Sequence, residues 1–512
     1  MPNEVFAYGI PTVALFALAP FFAAFRRIDS IGCAIAAGIA FSAVTSVSQF
    51  FWLLFFEDFS VWTLTGVSLV HMLYFALFAP VLLILSRSPG YIRPFLLAAA
   101  WTLYEYFRSL GFLGFPWNMA AHPFGGILPL AQTAALSGMW PITFISALFC
   151  ALTAELPFIR DALSGQTFFR SVSAASAMLL VLLLSGSFLL SAQRKRVEGM
   201  EKVPMLLIQT NVDFWREGEA VRGIAHGQAL SRAGLEAHPE TRLVVWSENS
   251  LQYPYEGSAS MYRNIPAGDP FIGFLKEIDT PLLTGVPHYI DYEKGEAMNS
   301  AVIIQPDGTT GPRYGKSHLV PFAERVPFWN FAPLRGFLQN FVGLQTAGWT
   351  PGDISALLRI ESENGKSIDL GTPICFEDSF PYITRFQAGI GAQLFINLTN
   401  DSWSKTIAGE TQHFAAARYR AAETGRSLVR STNAGVTSLI LPTGEVTDHL
   451  PLYEAGFLAV SVPVSDPGYK TFYMLAGDWF AQLLLLVLVH WRIAALQKKR
   501  SGHLVAERFF GQ

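Results

Sequence analysis

At 512 residues, 51% of them hydrophobic and only 15% charged, with a mean hydropathy of +0.34, the chain is too apolar for a wholly soluble globule, which carries roughly 25% charged residues. A net charge of −3 offers no basic face to a nucleic acid. Three cysteines, Cys33, Cys150 and Cys375, exclude a disulfide framework; the first two fall in apolar stretches, where a thiol packs as a small hydrophobe, and only Cys375 stands among polar residues.

Residues 1–193 are almost continuously apolar, and a helix needs about 20 such residues to cross a bilayer. Spans are expected near Phe6–Phe25, Ile31–Phe56, Val61–Ser86, Pro94–Phe107, Ile127–Leu152 and Val172–Ser191. A seventh, Trp479–Leu496, follows a polar region. No positive segment precedes the first stretch, so it does not read as a signal peptide. Basic clusters at Arg26-Arg27, Arg87/Arg93, Arg160/Arg170 and Lys498-Lys499-Arg500 fall on one side under strict alternation, and basic loops mark the cytoplasm. The loops at Glu57-Asp58 and 109–126 and the whole of 200–470 are then expected outside, and Arg194-Lys195-Arg196 breaks the pattern beside a large translocated segment, where the rule is weak. The expected organisation is a bundle over 1–193, a polar domain over 200–470, a last span within 476–497 and a cytoplasmic tail over 498–512.

In the polar domain, short apolar runs bounded by turn residues predict buried strands at 204–210, 242–248, 281–286, 300–305, 368–377 and 393–399, with further strands at 427–433, 436–442 and 456–464. Helical patterns lie at 217–237, 378–389 and 410–426, the last alanine-rich and stopped near Gly425. The alternation predicts an α/β domain with a largely buried sheet. GxGxxG, Walker, CxxC and HExxH patterns are all missing, so neither a nucleotide nor a metal cofactor is expected.

Three polar residues stand where predicted strands or their following loops end: Glu248 in RLVVWSE, Lys316 in RYGKSHLVPFAE and Cys375 in GTPICFED. Active groups of α/β domains gather at such ends. A thiol with a pKa near about 8.5 is mostly protonated at neutral pH; a carboxylate can take its proton during attack and an ammonium can hold the developing oxyanion. Each residue also has a plainer reading, since a charge at a strand end is usually a solvated loop residue. Spacing alone leaves both open.

The blocks W-S-E at 246–248, K-x-H-L-V-P-F-x-E at 316–324 and I-C-F-E at 374–377 resemble the three signatures of the nitrilase (carbon–nitrogen hydrolase) superfamily, which implies an αββα sandwich and a Glu-Lys-Cys triad. EYFRSLGFLGFPWN at 105–118, NLTNDSW at 397–403, QHFAAARYRAAE at 412–423 and RSTNAGVTSLILPTGEV at 430–446 are further similar to the apolipoprotein N-acyltransferases. The resemblance spans about residues 95–495. It implies Cys375 as nucleophile, Glu248 as base and Lys316 as oxyanion stabiliser, with Glu324 as a second essential carboxylate, Glu377 as the acid two after the nucleophile and Trp215 near the entrance. It also implies transfer of an acyl chain from a glycerophospholipid, through a thioester, to the amine of a diacylglyceryl-cysteine on a lipoprotein, at the outer face of the bacterial inner membrane.

Ser247 and Asn249 replace the family's usual Pro and Thr, Ala323 a Gly, and Phe376 a Tyr, which removes a hydroxyl beside the nucleophile. Seven spans also fall one short of the usual eight. Residues 327–348, with Trp329, Phe337 and Phe341 among eight large apolar side chains, are expected to form an arm at the membrane interface or else to pack as a core helix. Glu105 and Arg108 read equally as a buried pair or a headgroup contact. Two other functions fit the pattern: a membrane-anchored amidase, in which water resolves the thioester, and an inactive lipid-binding protein, against which the intact triad weighs.

Overall fold

A computed structural model describes residues 1–56, 60–158, 165–214, 216–344 and 348–510, with side chains up to Gln497 in the last helix. Glu57, Asp58, Arg160 and Trp215, each named above, lie outside the described residues.

The N-terminal part is a helical bundle: α1 (Ile31–Phe50), α2 (Ser60–Ser86), α3 (Arg93–Arg108), α4 (Trp140–Glu155) and α5 (Gly165–Glu198). Among the described residues, five helical stretches are long and apolar enough to cross a membrane: Ile31–Phe55, Ser60–Ser86, Trp140–Phe158, Gly165–Glu198 and Trp479–Gln497. The chain is a multi-pass membrane protein. Two expected spans take other forms. Phe6–Phe25 is broken into Pro11–Ala14 and Ala19–Phe25, each with a proline in its first two positions, as a residue without an N–H starts helices and does not continue them. Ile127–Leu152 divides at Gly138, whose φ of +64° ends a helical turn; only Trp140 onward is a long helix. Leu128–Gln132 instead packs against α5 at Gly186, where a Cβ would lie 1.7 Å from the Pro129 carbonyl. The two basic loops meet at one end of the bundle, where Arg26 and Arg93 both donate to Glu155 at 2.9 Å.

The polar region folds as two six-stranded sheets. The first has the order β12-β1-β2-β3-β4-β5, comprising β1 (Lys202–Gln209), β2 (Leu243–Val245), β3 (Leu282–Asp291), β4 (Glu296–Ile304), β5 (Thr310–Gly315) and β12 (Gly456–Pro463). The second has the order β11-β10-β9-β8-β7-β6, comprising β6 (Leu358–Glu361), β7 (Ser367–Gly371), β8 (Leu394–Thr399), β9 (Leu428–Thr432), β10 (Ser438–Ile440) and β11 (Val446–His449). Central pairs are parallel and outer pairs antiparallel. Inward side chains of both sheets, such as Leu207, Val245 and Leu283 with Ile396, Leu398 and Val429, share one core. Helix α6 (Glu219–Ala237) covers the outer face of the first sheet through Ile224, and α7 (Pro381–Gly389) with α8 (Ile407–Thr424) covers the second through Ala388, Phe414 and Ala421. These four layers are the expected nitrilase-like αββα sandwich; the last membrane helix is α9 (Trp479–Phe510). Three strands carry no clear apolar signal in the sequence. In β5, β6 and β11 exposed residues interrupt the apolar ones, because edge strands pack on one side only.

Bundle and sandwich meet through aromatic side chains. Phe50, Trp52 and Trp117 belong to the same buried cluster as Cys375, Phe376 and Phe380. The loop bearing Trp117 is held from α3: Glu105 accepts the Ala120 N–H at 3.0 Å and the Trp101 indole at 2.9 Å, and Arg108 donates to the Trp117 carbonyl at 3.0 Å. Glu105 and Arg108 are therefore buried anchors of this loop.

Candidate active site

Glu248 follows β2, Cys375 follows β7 and Asn400 follows β8, all at the carboxyl end of parallel strands. The Glu248 loop folds tightly over β3 because Gly285 has no side chain; a Cβ there would lie 2.7 Å from the Glu248 Cα. Asn249 takes a φ of +55°, a conformation that asparagine tolerates and threonine resists, so this substitution suits the turn. One Glu248 oxygen accepts the Asn299 side-chain amide at 2.7 Å, and the other accepts the Asn400 backbone N–H at 2.9 Å. Lys316, just past β5, donates its backbone N–H to the Asn299 carbonyl. Asn299 thus sets the positions of both residues.

The Lys316 ammonium is shared unequally. Nζ lies 2.7 Å from Glu324 and 3.4 Å from Glu248. Burial works to lower its pKa, but the charges of Glu324, Glu248 and Cys375 hold it well above the usual lysine range. Burial also raises the Glu248 carboxyl, against the pull of Lys316. A carboxylate that is only partly neutralised and poorly solvated is a stronger base. Glu324 draws the ammonium toward itself, and its second oxygen is fixed by the Val320 N–H at 2.8 Å.

Cys375 does not lie within a strand, as 368–377 predicted, but opens a tight turn, Cys375–Ser379. Its φ is +50°, which for a non-glycine residue costs on the order of 1–3 kcal/mol and persists only where surroundings impose it. Burial, and then the Glu248 charge, push the thiol pKa well up, while Lys316 opposes them. Together these influences favour the thiol over the thiolate. Glu377 sits apart from this chemistry: it accepts from the backbone N–H groups of Ile374, Ser317 and His318 at 2.7–2.9 Å and from the Tyr314 and Ser317 hydroxyls. It ties the cysteine turn to the lysine loop. Phe376 packs among Phe380, Phe115 and Trp117, with ring centroids 4.8–6.1 Å away.

Beside the lysine loop, a cleft of about 390 Å³ is lined by Gly111 and Phe112 from the bundle and by His318, Leu319, Arg325 and Tyr382 from the sandwich. The segment expected to form an arm is described up to Leu344. Ala332–Phe337 and Leu338–Val342 form a short bent helix, on which Phe337 and Phe341 stack at 5.4 Å while both remain exposed. Trp329 is half-buried. Several polar residues near the site escaped sequence reasoning. Asn397, on the expected strand 393–399, donates to the Cys375 carbonyl at 3.1 Å; it, Asn299, Asp378, Asp401, His413 and Arg430 have no role assigned from the sequence. Four of these lie inside the quoted blocks, so position in a motif was the available signal.

Two family models match: the apolipoprotein N-acyltransferase N-terminal domain over residues 4–152 and carbon-nitrogen hydrolase over residues 209–467. Apolipoprotein N-acyltransferase 2 of Treponema denticola is 34% identical over 498 residues, covering 96% of this chain and 93% of its own. Apolipoprotein N-acyltransferase 2 of Treponema pallidum is 31% identical, covering 95% and 91%, and the Borreliella burgdorferi apolipoprotein N-acyltransferase 28%, covering 96% and 92%. Among solved structures, a carbon-nitrogen hydrolase from Helicobacter pylori aligns over 52% of this chain and 90% of its own, at 19% identity and a TM-score of 0.37. With both halves matched in order and relatives alike along nearly their whole length, the chain belongs to the apolipoprotein N-acyltransferase family.

Proposed function

We propose that this protein transfers an acyl chain from a glycerophospholipid to the N-terminal amine of a diacylglyceryl-cysteine on a lipoprotein, in two steps through a thioester on Cys375. The observation that carries this is the buried group of Glu248, Lys316 and Cys375, joined to a membrane bundle through one continuous aromatic core. Glu248 takes the thiol proton as Sγ attacks the ester carbonyl, and Lys316 holds the oxyanion. Collapse expels the lysophospholipid alcohol, which recovers the proton from Glu248. The lipoprotein amine then attacks the thioester, gives up a proton to Glu248, and the thiol leaves with it. A thioester stores the acyl group in activated form, so no further energy source is needed. The test is intact-protein mass spectrometry after incubation with phospholipid alone. One added acyl mass on Cys375, lost on adding an acceptor amine, is expected; no adduct under any donor would refute the thioester.

In this reading the protein sits in the bacterial inner membrane with the sandwich on the periplasmic side. The meeting of Arg26 and Arg93 at Glu155, at the end of α3 opposite Arg108 and the Trp117 loop, supports it, since basic loops stay cytoplasmic. A reporter after Arg27 or at the C-terminus should read cytoplasmic, and one inserted at Gly257 periplasmic. A cytoplasmic signal from Gly257 would reverse the orientation and remove the lipoprotein substrate.

Residues 327–344 act as an arm that lies among headgroups and leads the ester toward Cys375. Support comes from Phe328, Phe331, Phe337 and Phe341, all 47% or more exposed; so many uncovered aromatics in one segment mark an interaction surface. Replacing Trp329, Phe337 and Phe341 together by serine should slow acylation by bilayer phospholipid at least about tenfold and leave a short-chain soluble ester almost unaffected. Equal losses on both donors, or a large fall in melting temperature, would make the segment part of the core.

A further inference from the structure

Two blocks that carry the family resemblance, GFPW at 114–117 and QH at 412–413, supply no group to the reaction above. Both converge behind the nucleophile. His413, on α8, is fully enclosed. Its Nδ1 lies 2.9 Å from an Asp401 carboxylate oxygen, and its Nε2 lies 3.0 Å from Asp378 and 3.3 Å from the carbonyl oxygen of Cys375 itself. The Cys375 carbonyl accepts only, as do both carboxylates when ionised; both ring nitrogens then donate and the ring is an imidazolium. Trp117 of the membrane bundle stacks on it at 5.1 Å and 28°, and donates its indole N–H to Ser379 at 2.8 Å, inside the cysteine turn.

The surroundings are balanced for that charge. Arg430 on β9 pairs with Asp378 and reaches Asp401 at 3.5 Å, giving two cations against two anions. Glu410, one turn before His413, is pushed well up by burial and by Asp401, both of which oppose a third negative charge there. Burial works against the imidazolium, yet Asp401 and Asp378 raise its pKa to about 9.

We propose that His413 is a positioning residue: as a buried imidazolium capped by Trp117 from the membrane bundle, it donates to the Cys375 carbonyl and holds the left-handed nucleophile turn in its reactive conformation. Asn397 supplies the second donor to the same carbonyl. A carbonyl held by two donors cannot swing out of the turn, and its polarised amide makes the Phe376 N–H a stronger donor. The bundle thereby does more than bring the sandwich to the lipid, since one of its residues closes the box that fixes the nucleophile. This rests on Cys375 being the nucleophile.

The experiment measures single-turnover acylation of the full-length protein by phosphatidylethanolamine in mixed micelles. His413→Gln keeps one donor and loses the charge; it should lower the limiting rate about a hundredfold with the half-saturating donor concentration unchanged, as misplacement of a reacting group does. Asp401→Asn removes an anion from His413 and leaves an acceptor. The imidazolium then loses its proton at lower pH, so the alkaline fall in acylation, expected near pH 9 in the wild type, should move down by about one unit or more. A wild-type limiting rate in His413→Gln, or one that falls only in step with folded protein, overturns the proposal. If that variant does not fold, an unmoved pH profile in Asp401→Asn overturns it alone. Cys375→Ala, run in parallel, separates the two layers: acylation surviving there refutes the nucleophile, whereas loss there with His413→Gln unaffected refutes only the role of His413.

Discussion

Cys375→Ala should reduce acyl transfer by at least about ten-thousandfold, because a nucleophile's removal leaves only binding and oxyanion stabilisation. The fold should survive, with stability changed by no more than about 1–2 kcal/mol. The turn is held by contacts that alanine retains: Asn397 and His413 bind the Cys375 carbonyl, and Glu377 binds the Ile374 N–H. Alanine at φ +50° is no more strained than cysteine. The measurement pairs a transfer assay with thermal unfolding of the detergent-solubilised protein. Transfer retained near the wild-type rate would remove Cys375 from the mechanism.

Lys316→Met is expected to do greater harm, because it fails in two ways. Transfer should drop by at least about a thousandfold with loss of the oxyanion's charge partner. Stability should also drop by about 3–5 kcal/mol at pH 8, the cost of stranding buried carboxylates without their cation. Glu248 and Glu324 would face each other with no ammonium between them. The sign of the pH dependence follows from the direction of the Glu248 shift, which burial already raises. A carboxyl whose folded pKa is raised costs stability above that pKa, and the cost fades as the pH falls toward the unfolded value. The deficit of Lys316→Met should therefore shrink on acidification. Adding Glu324→Gln should recover part of the stability and none of the transfer. Lys316→Arg should also remain inactive, since a planar guanidinium cannot place a point charge at the same spot. Wild-type transfer in Lys316→Met would refute the oxyanion role.

Most of the sandwich was legible from the sequence because its inner strands are buried on both faces. PMLLIQT, RLVVWSE and QLFINLT are short apolar runs between turn residues, a pattern that local composition alone produces. Edge strands β5, β6 and β11 were not legible, since half their residues meet solvent. The cysteine strand was drawn too long for a related reason: ICFE is apolar enough to read as strand, and only backbone geometry shows that Cys375 begins a left-handed turn. In the bundle, hydropathy located α1, α2, α5 and α9, but it could not show that Gly138 divides residues 127–152.

By itself the sequence determined that the chain is a membrane protein with an α/β domain, and which three residues carry the resemblance to a Glu-Lys-Cys triad, because hydropathy, strand period and motif are properties of neighbouring residues. Only the tertiary structure decided how those residues are placed against one another. Lys316 is 68 positions from Glu248 and 8 from Glu324, yet the distances of 3.4 Å and 2.7 Å that share its ammonium unequally between the two carboxylates depend on how two loops close over Asn299. His413 and Trp117 lie 38 positions after and 258 before Cys375 in the chain, and no local pattern could join them to it. Burial turns such distant groups into strong partners, because charges and hydrogen bonds that water would screen act at full strength once the packed core excludes it.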